Sequence, residues 1–246
     1  MSHETVSVRT HDGDCPVHVF TPEGSGPWPA AIFFMDGLGI RSALLDMGQR
    51  LANGGYVVLL PDLYYRAGPY EPLDPKVVFA SGDVRAAIGP LYSTTGNRKA
   101  AQDTEAFLAL IDSRKDVAGK KIGTTGYCMG GGISLTVAGT YPDRIAAAAS
   151  FHGGGLASDS EESPHLLAPK MTARIYVAGA DEDGSYPPEM AEKLDAALTE
   201  AKVDHRCEIY EGALHGWTMT DFPIYNEPAA ERHWTELLAL FKATLG

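Results

Sequence analysis

The chain has 246 residues, 44% of them hydrophobic and 21% charged, enough for one large domain with a substantial buried core. Its formal net charge of −12 repels phosphate backbones and anionic bilayers, which argues against nucleic-acid binding and docking on membranes. No stretch approaches the roughly 18 uninterrupted apolar residues of a membrane span, and Met1-Ser2-His3-Glu4 does not read as the start of a signal peptide. The three cysteines, Cys15, Cys128 and Cys207, are spaced too widely for a zinc knuckle or a disulfide framework. They fit a reducing, cytoplasmic setting, and no metal site is expected.

Along the chain, strand-like runs alternate with helix-like ones, with no repeat or Ser/Gly-rich linker between them. Thr5 to Arg9 and Val17 to Phe20 read as short opening strands at an antiparallel edge. Ala30 to Met35 is an uninterrupted apolar run, as expected of a strand buried on both faces. A helix follows, with Ile40, Ala43, Leu44, Met47 and Leu51 on one stripe, and it stops at Asn53-Gly54-Gly55. Tyr56 to Leu60 is a second buried strand. Residues 62–98, scattered with Pro69, Pro72, Pro75 and Pro90, read as an irregular lid or binding loop.

A helix from Lys99 to Ser113 leads into the strand Lys121 to Thr125 and a glycine-rich turn. Further strands are Ile145 to Phe151, Arg174 to Ala178 and Arg206 to Tyr210, with helices at 188–202 and 228–243. This alternation predicts a single α/β domain over 1–246, a mostly parallel sheet covered by helices on both faces. In such sheets ligands bind beyond the carboxyl ends of the strands, so the chemistry belongs in the loops that follow them.

One of those loops carries Gly126-Tyr127-Cys128-Met129-Gly130 between a strand and a helix. This is the nucleophile-elbow pattern with cysteine in place of serine. The turn is tight enough to strain the nucleophile's backbone, and side chains two before and two after it would collide. It lifts the sulfur above the sheet at a helix N-terminus, whose positive end favours a thiolate. Cys15 and Cys207 have no such context and read as small buried hydrophobes.

Sites built on this elbow run in chain order nucleophile, acid, histidine. After Cys128, the strand Arg174 to Ala178 is followed by Asp181-Glu182-Asp183, and the strand Arg206 to Tyr210 by His215. His215 is the expected base, and either Asp181 or Asp183 the acid that orients it. His152 also ends a strand but precedes any acid, so it reads as a wall residue.

Four segments together resemble the dienelactone hydrolase (carboxymethylenebutenolidase) family: Phe34-Met-Asp36-Gly37, Pro61-Asp-Leu-Tyr-Tyr-Arg66, Gly126-Tyr-Cys128-Met-Gly-Gly and Glu211-Gly-Ala-Leu-His215-Gly-Trp217. They fall in the expected order, and the likeness runs from about Val6 to the C-terminal helix. The resemblance implies an α/β-hydrolase fold, a three-layer α/β/α sandwich of about eight strands. It also implies hydrolysis of a small lactone or ester without a cofactor, by a monomer or small homo-oligomer. By distance from Pro187 the family's acid falls on Asp183, with Asp181 as the fallback.

The family's thiol-activating glutamate corresponds to Asp36, one methylene shorter. The Gly37 and Met129 amides correspond to the oxyanion hole. An arginine that binds the substrate carboxylate in the family is Met219 here, leaving Arg66, Arg85 or Arg98 as substitutes. Tyr64, Tyr65, Arg66 and Trp217 are expected to shape the pocket.

Other classes fit less well. Gly37-Leu-Gly39 followed by Asp62 imitates a dinucleotide fingerprint, but Ser42 replaces the third glycine and Asp36 would face the pyrophosphate. A serine esterase would need an elbow at Ser134 or Ser150, and neither has one. A binding protein that has lost its chemistry would not need Cys, Asp and His in this order.

Overall fold

The computed structural model describes residues 2–246. Eight strands make one sheet: β1 (Ser2–Arg9), β2 (Asp14–Thr21), β3 (Ala30–Phe34), β4 (Val57–Pro61), β5 (Ile122–Tyr127), β6 (Ile145–Phe151), β7 (Arg174–Ala180) and β8 (His205–Tyr210). Their spatial order is β1-β2-β4-β3-β5-β6-β7-β8. β1 and β2 form an antiparallel hairpin that joins β4 antiparallel, and every pairing from β4 to β8 is parallel. This is the mostly parallel, eight-stranded sheet of an α/β-hydrolase.

The α-helices among the described residues are α1 (Ser42–Asn53), α2 (Pro75–Ala80), α3 (Val84–Tyr92), α4 (Asn97–Ser113), α5 (Met129–Thr140), α6 (Pro188–Glu200) and α7 (Glu227–Leu245). α1 and α7 lie side by side, joined by the Arg50–Glu231 ion pair, and pack on the sheet. α4 and α5 pack on each other, with α5 also against β3, β5 and β6. Every residue of β3, β4 and β5 is consequently buried, which is why these segments are apolar or small throughout instead of alternating. β1, at the sheet edge, is mostly exposed. Among the described residues no helix is long and apolar enough to cross a membrane.

β3 lies between β4 and β5, so the chain leaves β3 in one direction and later leaves β5 in the other. A crevice opens at such a reversal. The loops after β3 and β5 carry Asp36-Gly37 and Cys128, so both edges of the crevice are chemically equipped.

Residues 62–98 are more regular than the sequence reading expects. After a short 3₁₀ turn at Tyr65–Ala67 come two helices, α2 and α3. Asp74 caps α2 by accepting the Lys76 N–H at 2.8 Å, with Pro75 as the first helical residue. Asp83 caps α3 by accepting the Ala86 N–H at 2.9 Å. No residue of α3 is buried, so little apolar area holds it down. Hydrogen exchange is therefore expected to run orders of magnitude faster in α3 than in the wholly buried stretch of α5. Equal protection of the two helices would show that α3 is part of the rigid core.

Candidate active site

Cys128 sits between β5 and α5 with φ +54° and ψ −113°, a region that a side-chain-bearing residue rarely occupies. The flanking glycines make this possible. A Cβ on Gly126 would lie 1.8 Å from the Gly130 carbonyl oxygen, and one on Gly130 would lie 2.3 Å from that of Phe34. The elbow is thus closed on itself and pressed against the end of β3. The Cys128 N–H points back into the protein, donating to the Phe151 carbonyl at 3.1 Å and to His152 Nδ1 at 3.2 Å.

His215 and Asp183 meet across the loops after β8 and β7, with Nδ1 to Oδ2 at 2.7 Å. Asp183 is held in turn by Ser185, whose backbone N–H and hydroxyl both donate to Oδ1, at 2.8 and 2.6 Å. Asp181 is engaged elsewhere: its Oδ2 accepts the Gly212 N–H at 2.9 Å and so fixes the turn before His215. The Asp183 contact, not that of Asp181, is the one made to the histidine.

Burial alone would discharge His215, but it is outweighed by the negative charge and hydrogen bond of Cys128 and by Asp183, which together raise the imidazole to about 10. Asp183 moves the opposite way: burial would raise it, yet the bonds from His215 and Ser185 hold it below its usual value.

His152 takes an unexpected place. It is fully buried at φ +39°, directly behind Cys128. Because Nδ1 accepts the Cys128 amide, Nε2 carries the proton and donates to Thr218 Oγ1 at 2.7 Å. Burial, and then the charges of His215 and His233, keep its pKa well below the ordinary value, so it is neutral. This imidazole links the cysteine elbow to the loop that carries His215.

The Asp36 carboxylate does not stand free beside the thiol. It is buried, and Arg41 grips both of its oxygens, Nη1 to Oδ1 at 2.7 Å and Nη2 to Oδ2 at 2.8 Å. Oδ1 also accepts the Leu38 N–H at 2.9 Å. Arg41 reaches Asp221 as well, Nε to Oδ2 at 2.6 Å, so one buried guanidinium ties the loop after β3 to the loop after β8. Gly37 is fixed from another side, since Tyr64 Oη donates to its carbonyl at 2.7 Å. Met129 is the first residue of α5, and its amide has no acceptor within the helix.

The remaining expected residues lie apart from the thiol. Tyr65 and Arg66 bind Asp103, and they reach Thr10 and Asp12 of the β1–β2 turn. All these polar contacts are made to scaffold residues of the β1–β2 turn and α4. Trp217 is fully buried, stacked on Tyr210 with ring centres 5.1 Å apart and edge-on to His152 at 4.9 Å. It backs the histidines and does not line an open pocket. Met219 is fully buried too. Above Gly37 lies α3: a Cβ there would come 3.1 Å from Ile88 and 3.9 Å from Tyr92.

Comparisons with known proteins show which family and fold this chain is similar to. The profile of the Dienelactone hydrolase family matches residues 15–245. A protein of Synechocystis sp., provisionally assigned as a carboxymethylenebutenolidase, is 29% identical over 91% of this chain and 89% of its own. The carboxymethylenebutenolidase of Pseudomonas putida is 25% identical over 94% and 92%. A solved structure from Klebsiella pneumoniae, provisionally assigned as a dienelactone hydrolase, superimposes with a TM-score of 0.84 at 23% identity, over 98% of both chains.

Two results are expected. In a titration followed by nuclear magnetic resonance, His215 should stay protonated at neutral pH and lose its proton only toward pH 10. Cys128→Ser should bring that midpoint down by more than about one pH unit, because the negative partner is gone. An unchanged midpoint would show that the thiol does not charge the imidazole. Second, Arg41→Met strands the buried Asp36 charge and should destabilise the fold by about 3–5 kcal/mol in urea unfolding. A loss below about 1 kcal/mol would show that Arg41 is not what holds the Asp36 carboxylate in place.

Proposed function

The chain belongs to the dienelactone hydrolase family, and on that footing we propose that it hydrolyses small lactones or carboxylic esters through a thioester on Cys128. One observation carries this reading: a cysteine in a left-handed backbone turn at a helix N-terminus, electrostatically coupled to a histidine that is itself bonded to a buried aspartate.

The residues divide the work as follows. The Cys128 thiolate attacks the carbonyl carbon, and the charge that develops on oxygen is received by the Gly37 and Met129 amides. Asp36, with its grip from Arg41 and Leu38, and Tyr64, through the Gly37 carbonyl, keep that first amide aimed. Collapse breaks the carbon–oxygen bond, and the leaving alkoxide takes the proton from His215. For a lactone the alkoxide stays tethered to the acyl group. His215, oriented by Asp183, then accepts a proton from water, and the resulting hydroxide attacks the thioester. The thiolate leaves, the acid is released and no cofactor is consumed.

Residues 62–98 supply the cover, with Ile88 and Tyr92 of α3 over the oxyanion turn. Of the cations that could meet a substrate carboxylate, Arg66 is committed to Asp103 and Arg98 lines a groove with Glu161 and Glu162. Arg85 is different. It stands on α3, and its charge is felt by Tyr92, which also senses Cys128. We assign it the carboxylate end of an acidic lactone. A reducing cytoplasm, which keeps the free Cys128 thiol available, fits this chemistry.

The test is hydrolysis of a short p-nitrophenyl ester and of a dienelactone by wild type and Cys128→Ala side by side. The substitution should cost at least about a thousandfold in kcat on both; equal activity in the two proteins would refute the cysteine mechanism. Arg85→Ala should lower kcat/KM about fivefold for the acidic lactone, with the neutral ester nearly unaffected. An equal effect on both substrates would remove Arg85 from substrate binding.

A further inference from the structure

At the far end of the sheet, β8 begins with His205-Arg206-Cys207. The two-residue period of a strand puts His205 and Cys207 on one face. α6 packs against β8 and brings Asp195 to the same place. One ligand atom from each of the three, an imidazole nitrogen, the thiol sulfur and a carboxylate oxygen, lies within 4.8 Å of the other two. We propose that Asp195, His205 and Cys207 form a divalent cation site of the zinc type, which staples α6 to the edge strand of the sheet.

The histidine is already arranged as a ligand. Its Nδ1 lies 2.8 Å from the Val203 carbonyl, so that nitrogen carries the proton. This outer bond fixes the ring and leaves the Nε2 lone pair facing the cluster, which is the usual outer support of a metal-bound imidazole. Nε2 lies 3.2 Å from Asp195 Oδ1, so the free ring nitrogen and the carboxylate face one another at the point where an ion would sit.

Cys207 is a free thiol on the same face of the strand, within reach of both other ligand atoms. A second, separate observation comes from Tyr186. Its hydroxyl is buried with no hydrogen-bond partner among the described residues, and it senses the charge of both Cys207 and Asp195. A buried hydroxyl without a partner is costly, and a hydrated ion in this cluster would provide one.

The donor set selects the ion. One thiolate, one imidazole and one carboxylate suit Zn²⁺, and a thiolate and carboxylate together neutralise its charge. With metal–ligand bonds of about 2.0–2.3 Å, tetrahedral ligands stand roughly 3.5 Å apart. The present spacing must close by about 1 Å, and Asp195, more than half exposed on α6, has the freedom to do so. The fourth position is left to water. His215 follows the opposite end of β8, so this cluster is separate from the candidate active site.

The experiment is titration of chelator-treated protein with Co²⁺, read by thiolate-to-cobalt absorption in the near ultraviolet, followed by displacement with Zn²⁺. Wild type and Cys128→Ala should each bind one equivalent with that band. Cys207→Ser should lose the band. His205→Gln and the exposed Asp195→Asn, read for correct folding by circular dichroism, should each weaken binding by at least about tenfold. No band in wild type would overturn the proposal. So would a band that disappears with Cys128 instead of Cys207, or affinity unchanged in both His205→Gln and Asp195→Asn.

Discussion

The site depends on one steric constraint, the closeness of Gly126, Gly130 and the end of β3. With 1.8 Å between a would-be Cβ and the Gly130 oxygen, no side chain fits at Gly126. This lets β5 turn into α5 within a single residue, and that residue is Cys128. The strain at φ +54° is local and is borne by the pairings of β5 with β3 and β6 on its two sides. With the sulfur fixed at the crest of the sheet, the loops after β3, β6, β7 and β8 need only bring their groups to it.

Charge is then distributed among those groups with little duplication. His215 is held in its protonated form by its two anionic neighbours, while His152, 5.3 Å away ring to ring, is kept neutral by burial and by His215 itself. The two imidazoles therefore have different tasks. One is able to move a proton, and the other accepts the Cys128 amide and braces it against Thr218. Arg41 does the comparable bracing on the other flank. It holds Asp36 and Asp221, which are 185 positions apart in the chain, in one buried cluster.

Much of this was legible in the sequence, for definite reasons. Buried parallel strands require continuous apolar runs, so Ala30 to Met35 and Tyr56 to Leu60 stood out. The elbow requires glycine at fixed offsets, so Cys128 was marked by its neighbours. The choice between Asp181 and Asp183 was not legible, because both lie in one acidic loop and only side-chain direction separates them. The part of Arg41 was hidden for another reason: its partners Asp36 and Asp221 meet only after folding. The helices within residues 62–98 were a different failure. Asp74-Pro75 and Asp83 are cap signals, but the scattered prolines around them favoured an irregular reading. Asp36, placed by resemblance next to the thiol, has both oxygens committed to Arg41, a contact that no motif encodes.

In the proposed mechanism the acyl group passes through sulfur. Mixing the enzyme with excess p-nitrophenyl acetate, quenching in acid within the first turnover and mapping peptides by mass spectrometry tests it directly. One acetyl group per chain is expected, on the peptide that carries Cys128, labile to hydroxylamine and longer-lived in His215→Asn. Steady turnover with no acylated Cys128, or an acetyl group on a serine or other residue, would contradict it.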